Sequence, residues 1–319
     1  MKITVLIPTY RRPQDLRRCL EAQKRQQRLP DDVLIVLRSP EQDPETWAFL
    51  QQTPFAPLTI RTQIVERPGQ VAALNAGLEA ASGDVIAITD DDAAPHSDWL
   101  QRIEAHFLSD TQVGGVGGRD WVYVGDTLHG PTAEQVATRP IGRIRWFGGI
   151  VGNHHLGTTQ AQDVEVLKGA NMSYRRTAIG STRFDPRLQG SGAQVHNDLG
   201  FSLAIKRRGW KLIYDPAIAV NHYPAQRFDK DNRDAFCYDA TLHAAYNETL
   251  ILMDYLRPLR RAIYLGWSVL IGTQRKPGLV QMLYLLPREG WQGLQRSLAV
   301  LQGRWQGCRT WITHTRKVA

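Results

Sequence analysis

Short apolar runs alternate with segments of helical spacing over the first 120 residues, and this alternation constrains the fold more than any other feature. Strand patterns cover residues 3–7, 33–37, 58–65, 85–89 and 113–117. Helical patterns begin near residue 13 and cover 71–81 and about 97–108. Such alternation predicts an α/β fold, in which a Rossmann-like, mostly parallel sheet carries helices on both faces.

Ligands of such sheets bind beyond the carboxyl ends of the strands. The polar segments that follow four of the predicted strands should therefore meet at one crevice. These segments are residues 8–12, 38–43, 66–70 and 90–92.

Three consecutive acids, Asp90, Asp91 and Asp92, end the fourth predicted strand. Adjacent carboxylates at the mouth of a sheet supply the hard oxygen ligands that Mg²⁺ or Mn²⁺ shares with a diphosphate. Three neighbouring anions also repel one another, which favours a bound cation. The alternative is an Asp-rich turn that caps the following helix. The cluster by itself does not decide between the two.

Six motifs, taken together and in order, resemble the family 2 glycosyltransferases of the GT-A fold. Each is weak alone, but the ordered set over about residues 1–224 is specific. The motifs are VLIPTYRR at 5–12, GQVAALNAG at 69–77, GDVIAITDDD at 83–92, LKGANMSYRR at 167–176, NDLGFSL at 197–203 leading to RGW at 208–210, and VNHYP at 220–224.

The resemblance implies a site for a nucleotide-sugar donor. Thr9 and Arg11 would line the pocket for the base and ribose, and Asn75 would lie at the start of the diphosphate side. The full set of donor-binding residues implied in this way is Pro8, Thr9, Tyr10, Arg11, Arg38, Gln70, Asn75, Asp90, Asp91 and Asn171.

The resemblance also implies a divalent metal, Mn²⁺ or Mg²⁺, bound with the donor. Asp92 would bind the metal directly, whereas Asp90 and Asp91 would face the ribose or a metal-bound water. Asp90 is a second candidate ligand and His222 a third. A lone histidine is more often a structural residue, but such a metal needs only one or two protein ligands.

Asp198 is the candidate catalytic residue that the resemblance implies. Sugar transfer with inversion needs a general base to take the proton from the acceptor hydroxyl, while the metal stabilises the departing diphosphate. Asp198 aligns with the second member of an acidic pair at the start of a helix. A helix cap is the alternative role, and the two roles are compatible.

The chain departs from the family pattern at two positions. Arg38 stands near the place where many relatives have an acid that recognises uracil, and a guanidinium cannot accept a hydrogen bond from a pyrimidine N–H. The identity of the donor base therefore stays open. Asn197 replaces the first acid of the catalytic pair. Neither departure removes the metal site or the base.

The function expected from these motifs is inverting sugar transfer to a glycan or lipid-linked acceptor, in the synthesis of a cell-surface or extracellular polysaccharide. One alternative is a sugar nucleotidyltransferase, although residues 8–13 lack the glycines that cradle a triphosphate. Another is an inactive module that only binds a nucleotide sugar. The glycines at 114–118 are expected to form a flexible turn near the donor sugar rather than a dinucleotide-binding loop.

The expected organisation is a GT-A domain over residues 1–230 and a helical C-terminal region over 231–319. Within the GT-A domain, residues 1–119 would form the nucleotide-binding half and 120–230 the acceptor half. Residues 120–162 are expected to be a long loop region, 198–208 a helix, and the stretch after it short strands near 212 and 218.

Positive charge is concentrated in the C-terminal region. Residues 257–319 hold eleven Lys and Arg against one acid, a net charge of +10 out of a total of +8, so residues 1–256 carry about −2. Four of the nine tryptophans lie in the same stretch. This pattern is typical of an element that rests on an anionic membrane, and the alternative is a basic helical layer of the fold. No nucleic-acid-binding motif accompanies the charge.

The cytoplasm is the expected location, with peripheral attachment to the inner face of the cell membrane. The N-terminus lacks the pattern of a signal peptide. The three cysteines are far apart and odd in number, so they indicate neither a disulfide framework nor a metal site.

Overall fold

The computed structural model describes residues 1–125, 127–129, 140–190, 192–225 and 236–318. Its contacts divide the chain into two compact units. Unit 1 comprises Met1–Arg143, Val151–Phe184 and Phe201–Gln226, and unit 2 comprises Ile144–Ile150, Asp185–Gly200 and Arg227–Ala319. The domain boundary expected between residues 230 and 231 lies outside the described residues.

The secondary structure follows the expected alternation in the first half of the chain. In chain order the elements are β1 (Ile3–Pro8), α1 (Pro13–Lys24), β2 (Asp32–Leu37), α2 (Pro44–Gln52), β3 (Ile60–Ile64), α3 (Gln70–Ala80), β4 (Val85–Ile88), β5 (Ala93–Pro95), α4 (Trp99–Ser109), β6 (Val113–Val124), β7 (Thr127–His129), β8 (Arg143–Ile144), β9 (Ile150–Val151), β10 (Gln162–Val164), β11 (Met172–Arg175), α5 (Arg176–Ile179), α6 (Asn197–Arg207), β12 (Lys211–His222), α7 (Tyr238–Tyr255), α8 (Pro258–Leu270) and α9 (Leu279–Val318).

Unit 1 is built on a mixed sheet with the strand order β10-β12-β6-β11-β4-β1-β2-β3. Strands β3, β2, β1 and β4 are parallel neighbours. Strand β11 lies antiparallel between β4 and β6, and β12 runs parallel to β6. Two short strands, β5 and β7, pair with β12 and β6.

Helices cover both faces of this sheet, as the sequence predicted. Alternate residues of β1, such as Val5 and Ile7, belong to an apolar cluster with residues of α1 and α4. The intervening residue Leu6 points to the opposite face, where it lies against Gly77 of α3. Because side chains alternate across a strand, the two helix layers pack on opposite faces.

The prediction that residues 114–118 form a flexible turn is wrong. These residues are buried within β6. A Cβ atom at Gly115 would lie 2.7 Å from Leu212 and 2.8 Å from Tyr174, and one at Gly118 would overlap the carbonyl oxygen of Ile218. The glycines are therefore required by close packing between neighbouring strands, not by a need for flexibility.

We expect Gly118→Ala to destabilise the protein by about 3 kcal/mol or more, because the added methyl group meets backbone that cannot rotate away. Chemical denaturation monitored by circular dichroism measures the effect. Gly266→Ala is the matched control, since a Cβ atom there meets nothing within 4 Å. Equal unfolding midpoints for Gly118→Ala and the parent would contradict this account of β6.

The second half of unit 1 is more regular than expected. Strand β6 continues to Val124, into the stretch expected to be a loop, and a single strand β12 replaces the two short strands. The register of β12 against β6 shifts between Asp215 and Ala219, around Pro216. Beyond this irregularity β12 also pairs with β5, which places His222 opposite Ala93.

Unit 2 contains the helices of the C-terminal region, whose helical character is confirmed from Tyr238 onwards. Gly303 and Gly307 of α9 approach the backbone of α7 at Leu242 and Tyr246, where a side chain would not fit. Helix α9 is interrupted at Gly290, which has φ of +55°. Across the described residues, none of the helices combines the length and apolar character that crossing a membrane requires.

Candidate active site

The three consecutive acids lie between β4 and β5, at the carboxyl end of the parallel strands, as the sequence predicted. Asp91 and Asp92 are buried, whereas Asp90 is partly exposed. The chain turns at these acids, where the N–H of Ala93 donates to the carbonyl of Asp90 at 3.2 Å, and β5 then pairs with β12. The three carboxylates have different partners.

Asp91 is bound on both of its oxygens by residues that follow β1. Thr9 Oγ1 donates to Asp91 Oδ2 at 2.8 Å, and Arg12 Nη1 donates to Asp91 Oδ1 at 3.0 Å. Burial raises the pKa of Asp91 to about 7, against the opposing effect of Arg12. These contacts tie the acid cluster to the end of β1. The roles of Thr9 and Asp91 in donor binding stay predictions.

Asp92 is paired with His222. His222 Nε2 lies 3.3 Å from Asp92 Oδ1, and the backbone N–H of Ala225 donates to Asp92 Oδ2 at 3.0 Å. Burial opposes ionisation of Asp92, but His222, together with the Ala225 N–H and Arg12, lowers the pKa of Asp92 to about 2. Burial also opposes protonation of His222, but Asp92 raises the histidine pKa. The ladder between β5 and β12 brings the two residues together.

The Asp92–His222 pair fits a divalent cation. Asp92 Oδ1, the carboxylate oxygen that faces His222, is buried without a hydrogen-bond partner among the described residues. The 3.3 Å between Asp92 Oδ1 and His222 Nε2 is close to the roughly 3 Å that separates adjacent ligands in an octahedron with bonds of about 2.1 Å. No group of three or more His, Cys, Asp or Glu in the described ranges forms a metal cage. Phosphate oxygens and water would complete the coordination.

Asp90 is the third member of the acid cluster. Burial and the neighbouring Asp92 raise its pKa to about 6. Gln70 Nε2, from the first residue of α3, lies 3.5 Å from Asp90 Oδ1. The structure thus brings together two of the predicted donor-binding residues, Gln70 and Asp90, beside the acid pair.

Residues after β1 and β2 form a second group of predicted donor-binding residues. Arg11 has φ of +55°, and its backbone N–H donates to Asp43 Oδ2 at 2.7 Å. Arg38 Nε donates to Gln42 Oε1 at 2.5 Å. The guanidinium of Arg11 lies 5.1 Å from the ring centre of the exposed Tyr10. Pro8, the last residue of β1, precedes them.

Two predicted donor-binding amides have structural partners. Asn75 Nδ2 donates to the carbonyl of Phe184 at 2.9 Å, and Asn75 Oδ1 accepts from the Phe184 N–H at 2.8 Å. Asn171 is buried, donates to the carbonyl of Ile218 at 2.8 Å and accepts from Trp99 Nε1 at 2.9 Å. These hydrogen bonds satisfy both amide side chains without a ligand. The role of Asn75 and Asn171 in binding the nucleotide-sugar donor stays a prediction.

Asp198 lies in the first turn of α6, as expected for its position in the motif. Its Oδ1 accepts a hydrogen bond from the N–H of Leu199 at 2.8 Å. Asp198 is therefore an acid at a helix N-terminus, where a negative charge interacts favourably with the helix dipole. Asp198 belongs to unit 2, whereas the acid cluster belongs to unit 1.

Two charged residues near the cluster were missed by the sequence reasoning. Arg12 contacts Asp91 directly and lies 4.0 Å from Asp92. Lys168 pairs with the fully buried Asp120 at 2.5 Å. Arg12 and Lys168 both lie inside motifs of the sequence analysis, but the local sequence does not show which acid each of them contacts.

The family described as Glycosyl transferase family 2 matches residues 4–179. Glycosyltransferase AglE of Haloferax volcanii is 32% identical over 118 residues, which are 36% of this chain and 38% of AglE. The matched region is thus little more than a third of that curated relative.

Solved structures resemble the chain in fold. GalNAc-T7, solved with UDP, GalNAc and Mn²⁺, has a TM-score of 0.61 at 14% identity, covering 84% of this chain and 50% of its own. The mannosyltransferase PcManGT from Pyrobaculum calidifontis, solved with GDP-Man and Mn²⁺, has a TM-score of 0.50 at 17% identity, covering 96% and 73%. At these identities the likeness shows the fold, which is the GT-A fold predicted from the motifs.

Proposed function

The chain belongs to glycosyl transferase family 2, whose match covers more than half of its length, and on that premise we propose that it is an inverting glycosyltransferase dependent on a divalent metal. It moves a sugar from a nucleotide-sugar donor to an acceptor hydroxyl. The observation that carries the proposal is the buried Asp92–His222 pair at the carboxyl end of the parallel strands. Structures with Mn²⁺ and nucleotides among its fold neighbours support it.

Asp92 and His222 would hold Mn²⁺ or Mg²⁺ in this mechanism, with the imidazole neutral, since a histidine must give up its proton to bind a metal. The metal supplies positive charge that stabilises the departing diphosphate. Arg12 and Thr9 fix the neighbouring Asp91, so the turn that carries Asp92 is held in place before the donor binds. Preorganised charge of this kind costs no rearrangement during the reaction.

Asp198 removes the proton from the acceptor hydroxyl as that oxygen attacks the anomeric carbon. The Leu199 N–H holds this carboxylate at the start of α6. Attack from the face opposite the diphosphate inverts the anomeric configuration. The acceptor we propose is a glycan or a lipid-linked sugar, in the synthesis of a cell-surface or extracellular polysaccharide.

Turnover of a panel of UDP-, GDP- and dTDP-sugars with Mn²⁺ tests the proposal. It also identifies the nucleotide base of the donor, which the presence of Arg38 leaves open. We expect release of the nucleoside diphosphate from one donor, faster with the right acceptor. Formation of a nucleotide sugar from a sugar phosphate and a nucleoside triphosphate would instead indicate a nucleotidyltransferase. Binding of a donor without any turnover would indicate an inactive binding module.

We also propose that the protein works in the cytoplasm, attached peripherally to the inner face of an anionic membrane. Residues 255–288 contain six Lys and Arg and no acid. The same stretch exposes a set of large apolar side chains, one in the first turn of α8 and the others at the end of α8, just after it and at the start of α9. They are Leu259, Val269, Leu270, Ile271, Leu279, Val280, Leu283, Tyr284 and Leu286. Apolar side chains next to basic ones fit a lipid surface with anionic headgroups.

Several basic residues of the C-terminal region have partners within unit 2, so charge alone is a weaker source of attachment than the sequence indicated. Arg304 is buried, Lys276 contacts Glu248, and Arg296 pairs with Glu289 at 2.8 Å. Arg260 donates to the carbonyls of residues 144–146. Insertion of the apolar side chains should therefore supply much of the binding free energy.

We expect the double variant Val280→Gln and Leu283→Gln to bind anionic vesicles at least tenfold more weakly than the parent. Both side chains are exposed, by 56% and 68%, and burial of each in lipid contributes about 1.5 to 3 kcal/mol. Vesicle co-sedimentation measures the effect, with Leu108→Gln, 66% exposed on α4, as the control. Equal recovery of parent and double variant would contradict membrane docking here, and equal recovery of the parent with neutral and anionic vesicles would contradict the preference for an anionic surface. A concentration-dependent dimer that the double variant abolishes would assign the surface to a second copy.

A further inference from the structure

Three ionisable side chains of unit 2 meet immediately before the helix that carries Asp198. Lys276 Nζ lies 2.8 Å from His196 Nε2 and also contacts the carboxylate of Glu248. His196 Nε2 lies 3.8 Å from Glu248 Oε2. All three side chains are largely buried, with 15–24% of their surface exposed. The donor-site mechanism uses none of them.

The charges of this cluster are defined by its contacts. A lysine ammonium can only donate, so His196 Nε2 accepts and the imidazole is neutral. Burial, and next the charge of Lys276, lower the pKa of His196 to about 4. Burial opposes ionisation of Glu248, but Lys276 and the other neighbouring basic groups together lower the carboxylate pKa. Lys276, Glu248 and Asp198 are the charged groups that face His196.

His196 occupies a backbone conformation that needs support. Its φ is +74°, in the left-handed region that a residue with a side chain rarely adopts. Its carbonyl accepts the N–H of Gly200 at 3.1 Å, the opening hydrogen bond of α6. Asp198 lies two residues further on, in the turn closed by that bond. A change in the His196 backbone would therefore move the Asp198 carboxylate.

Lys276 is itself held rigidly. Its backbone N–H donates to Thr273 Oγ1 at 3.0 Å, within the turn between α8 and α9. The buried guanidinium of Arg304, from α9, donates to the carbonyls of Lys276 at 2.9 Å and Pro277 at 3.0 Å. A continuous set of contacts thus runs from α9, through this turn, to the residue that opens α6.

We propose that Lys276 is a positioning residue for Asp198, acting through its contacts with His196 and Glu248. The proposal rests on Asp198 being the general base of the proposed function. Lys276 and Glu248 lie in the C-terminal region, outside the family match at residues 4–179, so this region would support the general base of the reaction. The lysine supplies no chemistry to the substrate, because its ammonium is occupied by the two side chains.

Lys276→Met tests the proposal, with Arg275→Met, at the exposed neighbouring position, as the matched control. We expect kcat to fall by about 10- to 100-fold, the cost of misplacing a reacting group by about 1 Å, while the KM for the donor changes less than about twofold. Lys276→Arg, which keeps the cation and its donors, should recover part of kcat. Arg275→Met should match the parent in both constants.

The pH dependence gives a readout that a general loss of packing would not change. Removing the Lys276 cation leaves His196 beside Glu248 and Asp198, which favour protonation of the imidazole. The acidic limb of the pH profile of kcat, where kcat falls as the pH is lowered, should therefore lie at higher pH in Lys276→Met than in the parent. Glu248→Gln should lower kcat but leave that limb where it is or move it to lower pH, because one anion is removed.

The outcomes separate the two proposals. If Asp198→Asn is inactive and Lys276→Met keeps the parent kcat and pH profile, the positioning role is wrong and the proposed function stands. A fall in kcat that merely follows a loss of folded protein, with an unchanged pH profile, would also overturn the positioning role. If the parent transfers no sugar from any donor, the proposed function itself fails.

Discussion

Replacing Asp92 by Asn is expected to remove metal-dependent donor binding while the protein stays folded. An amide oxygen can still accept the Ala225 N–H, so the local hydrogen bond survives. The variant loses the negative charge beside His222 that would hold the metal. We expect Mn²⁺ affinity in the presence of donor to fall by about 100-fold or more, because even residues that only support a metal ligand contribute about 10- to 100-fold.

Electron paramagnetic resonance of free Mn²⁺ measures the affinity of Asp92→Asn, and turnover of the donor gives a second readout. Asp110→Asn is the control, since Asp110 is a surface acid that pairs with Lys211 at 2.9 Å. His222→Asn should show a smaller loss, because Asp92 remains. If Asp92→Asn binds Mn²⁺ as tightly as the parent, the metal lies elsewhere.

Replacing Asp198 by Asn is expected to lower kcat by about 10²-fold or more, the effect of a lost general base. Asparagine has nearly the same size and can also accept the Leu199 N–H. The folded state and donor affinity should therefore change little. Steady-state kinetics with donor and acceptor measure the loss, and calorimetry of the donor verifies that binding is retained.

The control for Asp198→Asn is Asn197→Ala, at the position where the family has an acid. Asn197 Nδ2 donates to the carbonyls of Ala193 at 3.0 Å and Gln194 at 3.2 Å. Its removal should affect stability more than the chemical step. If Asp198→Asn turns over at the parent rate, Asp198 is a helix cap and not the general base.

The parallel strands were predictable because burial on both faces makes them continuous apolar runs. Strands β1, β2 and β4 are such apolar runs, and the last residue of each lies within one or two residues of its predicted end. The crevice position of the acids follows from the same reasoning, since they come directly after a strand of a parallel sheet, whose carboxyl end is where ligands bind. The position of the acid cluster at the crevice was therefore available from local sequence.

Features that depend on distant packing were not predictable. The glycines of β6 read locally as a turn, and only the close approach of Tyr174 and Ile218 explains them. The contact between Arg12 and Asp91 joins positions 79 residues apart. The partners of Asn75 and Asn171 are backbone groups, which have no signature in the sequence. The contacts of Lys276 likewise link three separate segments of unit 2.

Isothermal titration calorimetry of the parent protein with nucleotide-sugar donors, in Mn²⁺ and in EDTA, tests the central claim most directly. The donor that supports turnover should bind in Mn²⁺ and at least about tenfold more weakly in EDTA. That difference corresponds to about 1.4 kcal/mol or more of binding free energy. Equal affinity for that donor in Mn²⁺ and in EDTA would contradict the assignment of Asp92 and His222 as the metal site of a nucleotide-sugar-dependent transferase.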